Sequence, residues 1–188
     1  MTQLSIPRPA ADEADSYYQG YIAKVSGENI GEQLVDQLAV VGKLFGSLDD
    51  TAALARYAPD KWSIKELLGH LSDSERIFSY RLLRIARGDA TPLPGFDQNA
   101  YVAPARFDER PLKALVEEFR AVRLSTVALA GGLPSASWSR VGQASGKSVS
   151  ARALAYIMVG HVVHHLGVLR DRYGIGAGAD VAASGTRR

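Results

Sequence analysis

The sequence predicts an all-α protein built as a four-helix bundle. Four segments carry apolar residues at steps of three and four, which is the period of an amphipathic helix. Residues that favour helix ends bound these segments, and no alternating strand pattern competes with them. The length of 188 residues fits one domain with a sizeable core. We therefore expect a single domain over residues 1–175 and a mobile tail rich in Gly, Ala and Ser over residues 176–188.

The first two helices follow a polar, proline-containing lead-in over residues 1–27. The first helical stripe consists of Ile30, Leu34, Leu38, Val41, Phe45 and Leu48. Ser63 and Glu66 form a capping box, which predicts that the second helix begins there, and Gly88 ends it. The stripe of this second helix consists of Ile64, Leu67, Leu71, Phe78, Leu82 and Ile85.

The third and fourth helices have equally clear boundaries. Pro111 opens the third helix, where a first-turn proline is tolerated, and the glycines at 131 and 132 end it. Its stripe consists of Leu112, Leu115, Val116, Phe119, Val122 and Val127. Ser148 is the predicted N-cap of the fourth helix, and Gly174 closes it. The stripe of that helix consists of Leu154, Met158, Val162, Leu166 and Leu169.

The connection between helices two and three, residues 89–110, is unusually long and contains three prolines. At roughly 3.3 Å per residue it can cross the whole length of the bundle. Such a crossover makes helices two and three parallel, and it places helix four antiparallel to helix two.

Composition limits the classes of partner. The net charge is +2, and the Lys and Arg residues form no basic stripe, so we expect no nucleic-acid partner. The chain has no cysteine, which excludes disulfides, thiolate zinc sites and a cysteine nucleophile. No apolar h-region opens the sequence, and no uninterrupted apolar run reaches membrane-spanning length. These features predict a soluble, cytoplasmic protein without a membrane partner.

The four histidines are the candidates for chemistry. His161 and His165 are four residues apart on helix four, so they share one helix face and can approach one metal ion. His70 lies about two turns after the start of helix two, and His165 about two turns before the end of helix four. If those helices are antiparallel, the two histidines lie at one level and three imidazoles converge. His164 points elsewhere and is predicted to support the site or to contact a neighbouring helix.

Purely structural roles remain open as alternatives for these and other residues. Histidines on apolar faces are often core residues held by one hydrogen bond, and helix four lacks the glutamate of an HExxH protease motif. Asp73 could orient a ligand or act as a base, although a solvated helix acid is the simpler interpretation. Most of the arginines of helix two are predicted as surface residues or ion-pair partners, and the alternative is that one or two of them bind an acidic thiol or substrate. These arginines are Arg76, Arg81, Arg84 and Arg87. Trp62 is predicted as a staple residue and Trp138 as a packing residue, and neither Asp97 nor Tyr101 is favoured as a site residue.

The stretch KWSIKELLGHLSDSERIFSYRLLRIARGDATPLPGFDQNAY resembles the DinB-like superfamily. The later stretches EEFRAVRLST and ALAYIMVGHVVHHLGVLRDRY resemble its remaining helices. The resemblance implies up-down-down-up topology and one metal held by His70, His161 and His165. Many relatives have Glu directly after the first helix-four histidine, where this chain has Val162, so a supporting role for that acid is in doubt here.

The resemblance also implies an activity. The superfamily includes bacillithiol S-transferases, mycothiol-dependent maleylpyruvate isomerase and metal-dependent hydrolases. We expect one divalent transition metal (zinc, nickel, iron or copper) with an open coordination position, and a low-molecular-weight thiol as co-substrate that attacks an electrophile. The alternatives are a hydrolase that uses metal-bound hydroxide, or a metal- or small-molecule-binding protein without turnover. Homodimers are known in the superfamily, so we expect this chain to pair.

Overall fold

Four long helices dominate the computed structural model, which describes residues 5–176. They are α2 (Ile30–Gly46), α3 (Ile64–Ala86), α5 (Leu112–Gly131) and α6 (Ala151–Tyr173). Helix α3 packs against α5 and α6, and α2 packs against the same two helices. The predicted all-α four-helix bundle is therefore confirmed. The tail predicted over residues 176–188 lies, apart from Gly176, outside the described residues.

Contacts at the helix ends indicate relative directions. Lys65, near the start of α3, donates to the carbonyl of Arg110 just before α5, at 2.8 Å, and Arg140 beyond α5 donates to the carbonyl of Ala86 at the end of α3. These helices therefore run parallel. The amide of Leu112 at the start of α5 donates to Asp50 just after α2, at 2.8 Å, so α2 and α5 run antiparallel. These contacts give the directions of α2, α3 and α5 relative to one another.

The crossover between α3 and α5 has secondary structure of its own. It contains the short helix α4 (Gln98–Ala105) and a 3₁₀ turn over Phe107–Glu109. Asp97 caps α4 by accepting from the amide of Asn99 at 2.8 Å. The ring of Phe107 lies directly over Gly69 of α3, where an added Cβ would come within 2.5 Å of the ring. The crossover is thus fixed against α3 close to His70.

A β-hairpin precedes α6, which corrects the prediction that no strands occur. Strand β1 (Val141–Ala144) pairs antiparallel with β2 (Lys147–Ser150). Ser145 and Gly146 form the turn with positive φ values of 56° and 73°. The predicted N-cap is also wrong, because Ser148 belongs to β2, and the side chain of Ser150 accepts from the amide of Ala153 instead.

The N-terminal lead-in is also more ordered than predicted. It contains the helix α1 (Ser16–Ile22), capped by Asp15, which accepts from the amide of Tyr17 at 3.0 Å. Helix α1 packs on α6 at Gly160, where an added Cβ would lie 2.0 Å from the carbonyl oxygen of Tyr21. Glycine at this position therefore lets two helices approach at backbone distance. The short length of α1 and its mixed polarity gave no helical period in the sequence.

The core contains a buried polar network as well as apolar side chains. Arg123 of α5 forms an ion pair with Glu75 of α3, with Nε 2.8 Å from Oε1, and donates to Gln37 of α2 at 2.6 Å. Gln37 in turn donates to the carbonyl of Val159 in α6, at 2.9 Å. All four bundle helices are therefore joined through one set of hydrogen bonds.

Helix α6 is the central helix of this core. Among residues 5–176 it is the one helix long and apolar enough to cross a membrane by length and composition. However, 72% of its most apolar window is buried inside the protein. Its apolar character is accounted for by the neighbouring helices that cover it.

Candidate metal centre

The three histidines predicted from the sequence converge on one point between α3 and α6. Nε2 of His161 lies 3.1 Å from Nε2 of His70 and 3.1 Å from Nε2 of His165. One ring nitrogen from each of the three residues falls within 4.8 Å of the others. The predicted level match between the start of α3 and the end of α6 accounts for this meeting.

Aromatic and polar side chains pack against the rings of His70 and His161. The indole of Trp62 lies against the His70 ring with their centroids 4.7 Å apart, and Ser74 Oγ is 3.3 Å from His70 Nδ1. The ring of His161 is contacted edge-on by Tyr21 at 5.4 Å and by Phe78 at 5.6 Å. The sequence gave Trp62 a capping role only, and its contact with His70 was missed, although its place just before the capping box of α3 offered a signal.

Burial keeps these imidazoles neutral. It lowers the pKa of His70 to about 4 and lowers the pKa values of His161 and His165 well below the ordinary value. A neutral imidazole has one unprotonated nitrogen, which is the form that binds metal ions. Each of the three clustered histidines can therefore offer one unprotonated nitrogen to a metal ion.

The fourth histidine lies outside the cluster. The ring of His164 packs against Tyr21 of α1 with centroids 5.4 Å apart, so it contacts a neighbouring helix, one of the two roles considered for it. Asp73 is an ion-pair partner of Arg76 at 3.2 Å and does not line the site. Burial raises the pKa of the Asp73 carboxyl.

A cavity of about 410 Å³ opens beside His70 and His161. Its wall comes from α1, the crossover, the hairpin turn, α3 and α6. The remaining lining residues are Asp15, Tyr17, Tyr18, Tyr21, Ser74, Phe78, Phe96, Gln98, Ser145 and Lys147. Half of these ten residues are aromatic and half are polar or charged, a mixture that can hold a small molecule and fix its orientation.

The arginines of α3 divide into two groups. Arg76 pairs with Glu118 at 2.7 Å and Arg84 pairs with Asp89, as predicted for surface ion pairs. Arg81 is the exception to this majority, because it is 2% exposed and donates to the carbonyl of Pro94 at 2.8 Å and to Ser145 Oγ at 2.9 Å.

The other residues weighed in the sequence behave as packing or surface groups. Trp138 is 7% exposed and belongs to the core, as expected. Tyr101 is half exposed and packs on Phe96 with ring centroids 5.3 Å apart. Neither Tyr101 nor Asp97 lines the cavity described above.

Solved structures with the same fold support this architecture. The chain is similar to YfiT from Bacillus subtilis, which is described as a probable metal-dependent hydrolase with an unusual four-helix bundle topology. The TM-score is 0.68 and the sequence identity is 15%, and the match covers 92% of this chain and 99% of YfiT. It is also similar to the mycothiol-dependent maleylpyruvate isomerase, with a TM-score of 0.61 and 14% identity over 77% of this chain and 60% of that one. At these identities the likeness shows the fold alone.

Sequence comparison gives the family. No curated protein matches the chain. The sequence profile of the DinB superfamily, however, matches residues 33–169, a stretch that includes most of α2 and α6, all of α3 and α5, and all three clustered histidines. The match extends over well more than half of the chain, and the protein therefore belongs to the DinB superfamily.

Proposed function

We propose that His70, His161 and His165 hold one divalent transition metal, and that the protein is a metal-dependent enzyme that transfers a low-molecular-weight thiol to an electrophilic small molecule. The observation that carries this proposal is the convergence of three Nε2 atoms, two pairs of them 3.1 Å apart, beside a cavity.

The donor set fits a metal ion. Nε2 of His161 has a single in-plane hydrogen-bonding position but two nitrogen neighbours, so hydrogen bonds alone do not satisfy the cluster. Imidazole nitrogens at about 2.0–2.1 Å from a tetrahedral metal lie roughly 3.4 Å apart, close to the observed spacing. Three protein ligands also leave one position open, as in catalytic sites.

A metal at this site would lower the pKa of a thiol or a water molecule that binds at its open coordination position. The chain's own residues do the rest. Trp62 packs against the ring of His70, while Phe78 and Tyr21 pack edge-on against the ring of His161, so these side chains orient two of the three ligand rings. Since the chain has no cysteine, the thiol must be a separate small molecule.

Hydrolysis by an activated water is the second candidate. It is favoured by the similarity to YfiT, which is described as a probable metal-dependent hydrolase. Both candidates use the same three histidines, and they differ in whether turnover needs a thiol. A metal-binding protein without turnover is the remaining alternative.

The metal site is tested first by elemental analysis of tag-free protein. We expect about one transition-metal ion per chain in the wild type, and none in a His161→Ala, His165→Ala double variant that keeps its helical circular dichroism. His164→Ala is the matched control, because it removes the adjacent histidine outside the cluster, and it should retain the metal. A wild type that stays empty and refuses added zinc and nickel would overturn the proposal.

Turnover is tested next with the metal-loaded protein. Bacillithiol, mycothiol and glutathione are each incubated with 1-chloro-2,4-dinitrobenzene, and separately 4-nitrophenyl acetate is supplied without thiol. Thiol consumption that the wild type catalyses and the double variant does not supports thiol transfer. Ester cleavage without thiol, lost in the same variant, supports hydrolysis instead.

We further propose that the chain acts in the cytoplasm as a homodimer. The lack of cysteine and the pairing known in the superfamily support this proposal. Sedimentation of the metal-loaded protein at several concentrations distinguishes a dimer from a monomer.

A further inference from the structure

One face of α3 links the histidines to the hairpin turn. Ser74, Phe78 and Arg81 follow His70 at helical spacing, so all four lie on the same side of α3. Arg81 is about three turns, or roughly 16 Å, further along the helix axis than His70. Ser74 and Phe78 line the cavity between them. The cavity therefore extends from the histidines toward Arg81.

Arg81 is a buried cation without a counter-ion. It is 2% exposed, and its Nη2 donates to two neutral groups, the carbonyl of Pro94 and the hydroxyl of Ser145. No carboxylate among residues 5–176 lies within ion-pair distance of it. The other buried arginine, Arg123, is paired with Glu75. A guanidinium buried without an anion is costly, which indicates that an anion from outside the chain completes this region.

The hairpin turn brings this positive charge to the cavity. Ser145, which accepts from Arg81, lines the cavity wall, and so does Lys147 two residues later. Nζ of Lys147 is 3.1 Å from a carboxylate oxygen of Asp15, which also lines the wall. Two cations and one anion leave a net charge of +1 at this end, which matches a ligand carrying one negative charge.

We infer that the hairpin end of the cavity binds the carboxylate of a small-molecule substrate. Lys147 contacts the carboxylate directly, and Arg81 acts through the hydroxyl of Ser145, which it orients. The aromatic side chains between this end and the histidines hold an apolar or aromatic body, and they are Tyr18, Tyr21, Phe78 and Phe96. The substrate class is thus an aromatic or apolar monocarboxylate. This inference rests on the proposed function only in taking the cavity as the substrate site.

The inference is tested with a matched pair of probes, 4-phenylbutyrate and the neutral 4-phenylbutyramide. Binding is measured calorimetrically on chelator-treated protein, so that the carboxylate has no metal to coordinate, and again on zinc-loaded protein. We expect the carboxylate to bind about ten-fold more tightly than the amide in both forms. Lys147→Gln should reduce this preference below about three-fold, while Lys147→Arg should preserve most of it.

Lys113→Gln is the control variant, because Lys113 is exposed on α5 and does not line the cavity. It should leave the preference unchanged. Lys147 is itself exposed, so its variants keep the fold and the test does not depend on Arg81→Met, which removes two loop contacts. Circular dichroism of each variant checks the fold.

The outcomes separate this inference from the proposed function. Equal binding of the two probes, or a preference that Lys147→Gln leaves intact, overturns the carboxylate site. A preference seen only with zinc and lost in the histidine double variant supports the metal site but overturns the carboxylate site. A Lys147-dependent preference in a protein that never binds metal supports the carboxylate site and overturns the proposed function.

Discussion

Two groups of buried polar side chains lie in the same helical bundle, and they are built differently. Glu75 and Arg123 carry opposite charges 2.8 Å apart, and Gln37 adds a neutral hydrogen-bond partner. The three histidines, in contrast, present like groups to one another. Complementary charges complete each other within the chain, whereas three like lone pairs do not, and we propose that a metal ion completes them. On that proposal, the difference separates a structural network from a binding site.

The largest expected effect comes from disrupting the buried network of Glu75, Arg123 and Gln37. Arg123→Met leaves Glu75 buried without its counter-ion and should lower the free energy of unfolding by about 3–5 kcal/mol. Urea unfolding followed by circular dichroism measures the loss. Arg120→Met, on the exposed side of the same helix, should cost less than about 0.5 kcal/mol. A double variant, Glu75→Leu with Arg123→Met, should recover much of the loss, and a single-variant cost under about 1 kcal/mol would show that the pair is not needed.

The second prediction concerns the three histidines, to which zinc is added. Zinc at 100 times its dissociation constant should raise the free energy of unfolding by about 2.7 kcal/mol, because the metal binds the folded state. Thermal unfolding with zinc and with excess chelator measures the difference. The His161→Ala, His165→Ala variant should show no zinc-dependent change. Equal stabilisation of wild type and variant would mean that zinc binds elsewhere.

The third prediction concerns the close packing of α1 on α6, which is separate from the clustered histidines. Gly160→Ala places a Cβ against the Tyr21 carbonyl and should cost about 1–3 kcal/mol by pushing α1 off α6. Gly167→Ala on the same helix meets nothing within 4 Å and should be neutral or stabilising by up to about 1 kcal/mol. Chemical denaturation compares the two variants, and metal content should survive in both. Equal stability of the two would show that the close approach is not required.

The smallest effect concerns a more exposed ion pair. Arg152 donates to Glu13, which lowers the Glu13 pKa from 4.5 to about 2. A lowered pKa in the folded state contributes stability above pH 4.5, and that contribution is lost as the pH falls from 4.5 through about 2. With solvent screening we expect no more than about 1 kcal/mol. Glu13→Gln should reduce the loss of unfolding free energy as the pH falls below 4.5. Urea unfolding at a series of pH values measures this, and a pH dependence equal to that of the wild type would contradict it.

Much of the fold followed from local sequence rules. The four long helices and the capping box at Ser63 were predicted because apolar period and cap chemistry are local properties. The meeting of His70 with His161 and His165 was also expected, since the long crossover sets helix direction and helix direction sets their levels. Metal binding at these residues stays a prediction.

Other features could not be predicted because they depend on tertiary contacts. The hairpin has no alternating apolar pattern, and β1 is held by the crossover, where Leu93 donates to the carbonyl of Gln143 at 2.9 Å. Arg81 resembles its neighbouring surface arginines in sequence, and only the packing of the crossover and the hairpin turn over it makes it buried. Trp62 likewise gains its contact with His70 from the fold.

The separation of the histidines along the chain has a consequence for biogenesis. His70 and His161 are 91 residues apart, and α6 supplies two of the three clustered nitrogens. While the ribosome has made only α2, α3 and α5, a metal ion would find a single imidazole. The proposed site would be complete only after α6 has been synthesised and has docked as the central helix. On the proposed function, metal acquisition would therefore follow assembly of the bundle, and the ion would stabilise a finished fold rather than nucleate folding.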